Sequence, residues 1–425
     1  MRASFTRAVR YWVTAECTSP LRTGSANGSV DLVLLTHTGR VMLQASSIVG
    51  AMRAWYDRQS NGQSKALFGS PEQESPLRVS DALFRDKDEM VTRPRVRMNG
   101  ATSTVDESAK FDVACLPTGA VCEFDLCWRG DGNDRVQAAA QDIEACLSAI
   151  DQGNILFGAQ KSNGFGRMKL TVERRLYDLF NPADRAAWLD DARDGEIITL
   201  GEAAPGCVIF DVRMRTDTML VRAAVPLRED GESSVTVHME ENGKLLLPGS
   251  SIKGSVRAHM QRIAPFMGAT PEALDALMGR DARAGDDSGI AGKLLFSDGE
   301  LFEPQKTIEQ ARVRINRLTS GVIRKALVME QPVGGIWRWQ VQAPTKEPVG
   351  CLLLLYALRD LGLGIYQLGG TKAIGRGVAR EIEIVVRAEH KEASLRVADG
   401  QVTLEDAHGL FASWEAQSGG DRREA

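Results

Sequence analysis

Two glycine-rich segments hold the residues best suited to grip a polyanion. Phe157-Gly158-Ala159-Gln160-Lys161-Ser162-Asn163-Gly164-Phe165-Gly166-Arg167 and Leu368-Gly369-Gly370-Thr371-Lys372-Ala373-Ile374-Gly375-Arg376-Gly377 each set a lysine (Lys161, Lys372) and an arginine (Arg167, Arg376) among glycines. Glycine permits positive φ and close approach of a ligand to the backbone. Cations beside it would neutralise a sugar-phosphate chain. Plain turns use the same glycines, so the lysines and arginines carry the phosphate reading. No helix is predicted after either segment, which argues against a dinucleotide-binding G-x-G-x-x-G loop.

A second set lies at two predicted helix starts, where Ser46 and Ser47, and again Ser250 and Ser251, precede an amphipathic pattern such as Ile48, Met52, Trp55. Serines there cap free N–H groups. The same N–H groups would equally cradle phosphate, a reading favoured by Arg53, Lys253 and Arg257 on the first turns. Val49 stands where the second copy has Lys253, so the contacts are expected to be unequal. A third set is strand-like and basic: Arg93, Arg95, Arg97 and Lys110, then Arg312, Arg314, Arg317, Arg324 and Lys325. Charged strands often serve only as solvated edges. Recurrence of the pattern points to function.

These sets repeat because the chain does. Leu43-Gln44-Ala45-Ser46-Ser47-Ile48-Val49-Gly50 matches Leu247-Pro248-Gly249-Ser250-Ser251-Ile252-Lys253-Gly254 at an offset of 204 residues. Ser80-Asp81 answers Ser297-Asp298, Arg95-Val96-Arg97 answers Arg312-Val313-Arg314, and Leu116-Pro117-Thr118-Gly119 answers Gln331-Pro332-Val333-Gly334. So many collinear blocks mark a tandem duplication. Each copy reads as strand (11–17; 208–214), helix from the serines, alternating strand (121–128; 336–341), helix (136–152; 349–361), glycine-rich loop and final strand (168–172; 378–386). That order predicts α+β architecture, two tandem ferredoxin-like, RNA-recognition-motif-like domains. The expected boundaries are a first module at 1–175, a linker at 176–206 with one helical stretch (182–192), a second module at 207–390 and a tail at 391–425, frayed from 417.

Composition bounds the function. The 425 residues are 43% hydrophobic and 25% charged, ample for two cores. No apolar run approaches the roughly 20 residues of a membrane span, and no secretory signal follows Met1, so a cytoplasmic, membrane-free setting is expected. Seven scattered cysteines without C-x-x-C spacing read as free thiols, and five histidines form no metal-ligand pair. The net charge of −4 argues against a uniformly basic RNA-binding surface and leaves room for a local stripe. Aromatic content of 6% makes base stacking a poor main mechanism; backbone recognition fits better.

The proline-glycine-serine-serine-x-lysine-glycine helix start at 248–254, the arginine-rich segment at 312–330 with Pro332 and Gly334, and both glycine-rich loops resemble the RAMP superfamily of CRISPR-associated proteins. Specifically, they resemble the backbone subunits that line guide RNA in type III effector complexes. It implies an inserted β-hairpin thumb in each domain (about 93–111 and 312–327) that kinks the guide–target duplex. It also implies partners: CRISPR guide RNA, single-stranded target RNA and other effector subunits. Members that cut target RNA place an aspartate ahead of the serine-rich helix, where Asp31 lies fifteen residues before Ser46. The resemblance thus implies Asp31 as catalytic residue and ligand of a divalent metal such as Mg2+, an exposed loop aspartate being the plain alternative. The same register in the second copy falls on Val235, unless a shifted loop brings Asp230 or Glu232 there. Two rival functions stay open: a non-catalytic scaffold or capping subunit, and a guide-processing endoribonuclease using His37.

Overall fold

The structure is a computed structural model that describes residues 5–24, 35–60, 64–85, 90–98, 105–202, 206–221, 235–280, 289–306 and 308–420. Side chains are described for these except 60, 97, 98, 105–111, 324–326 and 418–420. The chain divides into two compact units, Met1–Lys161 with Phe165–Gly206, and Ser162–Gly164 with Cys207–Ala425.

The first unit runs β1 (Arg7–Cys17), β2 (Met42–Leu43), α1 (Ala45–Ser60), α2 (Lys65–Phe68), β3 (Leu77–Val79), β4 (Ala82–Phe84), β5 (Val91–Met98) and β6 (Val105–Cys115). It continues through β7 (Val121–Gly130), α3 (Asn133–Asp151), β8 (Met168–Asp178), α4 (Pro182–Leu189) and β9 (Glu196–Ile198). Its main sheet has the order β2-β4-β7-β1-β8-β9, with β1 antiparallel to both neighbours. Alternation in β1 turns Val9, Tyr11, Val13, Ala15 and Cys17 to one face, where Ile48 and Met52 of α1 and Ile143, Leu147 and Ile150 of α3 close a core. Each such side chain contributes about 1.5–3 kcal/mol by burial. The strand-helix-strand-strand-helix-strand order and the central β7-β1-β8 arrangement are those expected of a ferredoxin-like layer.

Residues 176–206, expected to be a linker, belong to this unit's architecture. Strand β9 pairs with β8, and α4 lies over the sheet face opposite the helices. There Trp188 meets Tyr177 edge-on at 5.1 Å and Phe5 at 5.7 Å, with the Arg129 guanidinium 5.2 Å from its ring. Asp191 pairs with Arg10, Asp184 and Asp194 with Arg175, and Arg193 with Glu173.

The second unit runs β10 (Cys207–Met219), β11 (Val235–Val237), β12 (Glu240–Glu241), β13 (Lys244–Leu247), α5 (Gly249–Ile263), α6 (Pro271–Met278), β14 (Leu295–Phe296), β15 (Gly299–Phe302), β16 (Gln310–Ile315) and β17 (Val322–Gln331). It ends with β18 (Val333–Pro344), α7 (Pro348–Gly362), β19 (Glu381–Ala388), β20 (Lys391–Ala398), β21 (Gln401–Glu405) and α8 (Leu410–Gly420). The sheet order β12-β13-β15-β18-β10-β19-β20-β21 repeats the first unit's centre. Residues expected as a tail extend it: β20 and β21 add strands, and Phe411 and Trp414 of α8 join the core. Outside the main sheets stand the hairpin β5–β6 in the first unit and β16–β17, joined by β11, in the second.

Candidate nucleic-acid interface

Both glycine-rich loops are closed by the same contact: Phe157 N–H donates to Gly166 O (3.0 Å), and Leu368 N–H to Gly377 O (3.2 Å). A Cβ at Gly166 would fall 2.1 Å from the Phe157 carbonyl oxygen, and one at Gly377 1.8 Å from that of Leu368, so glycine is required there. Each loop also turns left-handed at a residue with a side chain, Gln160 (φ 64°) and Thr371 (φ 54°), a conformation uncommon outside glycine. Closure makes Gly166 the counterpart of Gly377, and hence Phe165 that of Arg376. The loop arginines are therefore not equivalent. Arg167 is half-buried, its guanidinium over the turn at Gly153, and its N–H donates to Ser19 Oγ (2.9 Å).

Arg376, expected as an RNA contact, is only 3% exposed and braces the loop from within. Its Nη1 donates to Glu330 Oε2 (2.7 Å) and its Nη2 to Gln310 Oε1 (2.8 Å). Arg312 binds the same carboxylate in a fork, Nε to Oε2 at 2.8 Å and Nη2 to Oε1 at 2.6 Å. Glu330 is wholly buried. Burial pushes its carboxyl up, but hydrogen bonds and charge from Arg312 and Arg376 outweigh that and hold it below the ordinary range. The base of the second hairpin is thus pinned to the glycine-rich loop by an ion triad.

In the first unit an aromatic ring occupies the same junction. The rings and thiols of Phe165 and Cys115 cluster with Val113 and Val91, and the guanidinium carbons of Arg93 and Arg95 lie 5.3 and 5.1 Å from the Phe165 ring centre. Arg95 Nη1 also donates to Gln160 Oε1 (2.7 Å). Register refines the sequence alignment here. Val91 pairs with Cys115 and Arg93 with Val113, as Gln310 pairs with Glu330 and Arg312 with Val328, so Arg93 is the counterpart of Arg312 at the hairpin base. Six consecutive pairs precede the irregularity beside Arg97, against four beside Arg314. A two-residue shift keeps every side chain on its face, which is why the Arg-x-Arg pattern aligned without a gap.

The helix starts differ from expectation. Helix α1 already includes Ala45, and α5 begins at Gly249, so Ser46, Ser47, Ser250 and Ser251 sit within the first turns rather than capping them. The capping carboxylates come from across the sheet: Ala45 N–H donates to Asp81 Oδ1 and Gly249 N–H to Asp298 Oδ1, both at 2.7 Å. The neighbouring Ser80 and Ser297 hydroxyls accept from Asp125 N–H (2.9 Å) and Gln340 N–H (2.8 Å). Each Ser-Asp block therefore ties helix to sheet and places negative charge at the helix N-terminus. Lys253 Nζ donates to Ser162 Oγ (2.9 Å) within the second unit. Arg257 is turned inward, onto Gly279 O (2.6 Å) and Asp275 Oδ1 (2.8 Å). Arg53 faces Asp57 at 3.8 Å, a contact of a few tenths of a kcal/mol.

One cation pair recurs and was missed by sequence reasoning. Loss of hydration beneath the loop and, second, the charge of Arg58 lower the Lys161 ammonium; the same two causes, with Arg262, lower Lys372, although Lys372 still reaches solvent. Lys372 Nζ also donates to Ser255 Oγ (3.0 Å). Arg58 and Arg262 stand exposed at the 204-residue offset, each in the last turn of its helix. The offset was the available signal. A lysine and an arginine within electrostatic range of each other make a local positive patch that favours an anion. Beyond the triad, the second hairpin exposes Arg314 and Arg317 amid Val313, Ile315, Val322 and Leu318, the last 95% exposed.

The sheet faces opposite the helices offer less. In the first unit that face lies under α4. In the second it carries compensated charge: Arg387 with Asp211 and Glu392, Arg213 with Glu383, Arg396 with Glu381. A shallow recess there is lined by Arg213, Arg215, Ile336, Glu381 and Glu383. Asp31 lies outside the described residues, as do Asp230, Glu232 and the side chains of Arg97, Lys110, Arg324 and Lys325. Val235 is buried in β11, beside Met329 of β17. Among the described residues no group of three His, Cys, Asp or Glu side chains is placed to hold a metal ion, and no helix is long and apolar enough to cross a membrane.

No curated protein matches the chain. The sequence model of the RAMP superfamily matches it twice, over residues 14–169 and 219–380. Each match spans most of one copy of the repeat, from the end of its first strand through the glycine-rich loop. Together they cover well over half of the chain, which therefore belongs to the RAMP superfamily as a tandem fusion of two of its domains.

Proposed function

We propose that this chain is a guide-RNA-binding backbone subunit of a type III CRISPR effector complex, presenting the guide for pairing with single-stranded target RNA. The observation that carries this reading is the recurrence, in both units, of a hairpin pinned beside a glycine-rich loop whose lysine lies within electrostatic range of an exposed helix arginine. A cation pair recognises phosphate without reading bases, as a subunit lining any guide sequence must. The hairpins are the thumbs of this reading, and exposed Leu318, Ile315 and Val322 beside Arg314 and Arg317 suit a wedge between base steps flanked by phosphates. Other effector subunits would bound the pair of repeats, since fusion fixes two copies per chain.

We assign target cleavage to the first repeat, through Asp31 holding a divalent metal such as Mg2+. The assignment rests on the position of Asp31 ahead of α1 and on buried Val235 at the matching register. In a reconstituted complex given target RNA and Mg2+, Asp31→Ala should abolish cutting at one position while leaving target binding intact. Unchanged cutting at every position would remove the assignment and leave a non-catalytic scaffold.

A further inference from the structure

We propose that Glu330 is a positioning residue for the second hairpin, acting through Arg312 and Arg376. This rests on the reading of the hairpin as an RNA-gripping element, and it names what sets that element's place. Glu330 is the penultimate residue of β17 and is wholly buried, and it receives three charge-assisted hydrogen bonds of 2.6–2.8 Å from two guanidiniums. One of these, Arg312, sits opposite Val328 on β16; the other, Arg376, comes from the glycine-rich loop and also holds Gln310. The carboxylate thus joins three chain segments far apart in sequence: both strands of the hairpin and the loop that bears Lys372. Two consequences follow. Arg376 is committed inward and Arg312 is engaged by the same carboxylate, so among the described side chains of the hairpin the exposed Arg314 and Arg317 are the cations that face a ligand. And the spacing between those cations and Lys372 is set by one buried acid.

The first unit places different residues at the equivalent positions. Cys115 stands where the second unit has Glu330, since both pair with the first residue of the facing strand. Phe165 stands where it has Arg376, and Arg93 where it has Arg312. An aromatic ring under two guanidiniums there does what a carboxylate between two guanidiniums does here. Contacts of different chemistry that pin equivalent segments point to the pinned geometry as the conserved demand between the two copies.

The test uses amide exchange on the full chain, read at β16 and β17, and guide-RNA affinity in the assembled complex. Glu330→Gln should speed exchange in this hairpin by about two orders of magnitude, the consequence of leaving two guanidiniums without their carboxylate, and should weaken guide binding. The double variant Glu330→Cys/Arg376→Phe, which transplants the first unit's junction around Arg312, should restore slow exchange and affinity together. Exchange unaltered by Glu330→Gln would overturn the proposal, as would a double variant no more protected than the single. Protection restored without affinity would show Arg376 itself touching RNA and would overturn the claim that it is committed inward. Should the unmodified complex leave the hairpin unprotected when guide binds, the reading under Proposed function fails while the exchange results still judge the brace.

Discussion

The two hairpin junctions place the same three segments together through different residues. In the second unit a carboxylate is buried between Arg312 and Arg376; in the first, Phe165 and Cys115 make an apolar seat beneath Arg93 and Arg95. Buried ion networks gain little net stability over well-packed apolar groups, because desolvation offsets most of the attraction. They are, however, intolerant of losing one member. The comparison teaches that the fold requires a fixed hairpin base and accepts either solution, one robust to change and one brittle.

The sharpest way to break this contrast is Glu330→Ala. It should destabilise the second hairpin and its loop by roughly 3–5 kcal/mol, because Arg376 would stay buried without a counter-charge; local amide exchange in β17 measures it. In the first unit Phe165→Leu keeps an apolar seat and removes the two cation–π contacts, so a loss of about 1–3 kcal/mol at β5 is expected by the same method. Acid separates the junctions without mutation. Glu330 is depressed below its ordinary value, so its contribution is complete above the unfolded carboxyl value of roughly 4.3 and is lost as pH falls through the lower folded value. Exchange followed downward from neutral pH should therefore show the second hairpin loosening below about pH 4 while the contacts of the Phe165 ring with Arg93 and Arg95 in the first, which involve no carboxyl, persist. Simultaneous loosening would erase the distinction.

Much of the scaffold was legible because it is written in local periodicity. Alternation in β1 and the 3.6-residue pattern of α3 and α7 placed those elements to within a few residues, and the 204-residue offset exposed the duplication. What escaped is what depends on distant partners. Ser46 and Ser250 looked like caps because the true capping groups, Asp81 and Asp298, arrive from other strands. Arg376 looked free because Glu330 is remote in sequence, and Arg257 because Asp275 reaches it only when α6 packs on α5. The connector's helix was visible, but nothing local says that Trp188 will cover Tyr177. Arg58 and Arg262 were passed over because isolated helix arginines are ordinary until the fold brings a loop lysine within range of their charge.

The central claim is that both repeats grip guide phosphates with the same cation pair. It is tested most directly by the salt dependence of guide binding in the assembled complex, comparing Arg58→Ala/Lys161→Ala with Arg262→Ala/Lys372→Ala. Each double variant should lower the slope of log affinity against log salt by about 1.4, the release expected from two lost contacts to single-stranded RNA. A slope unchanged in either variant would contradict the account.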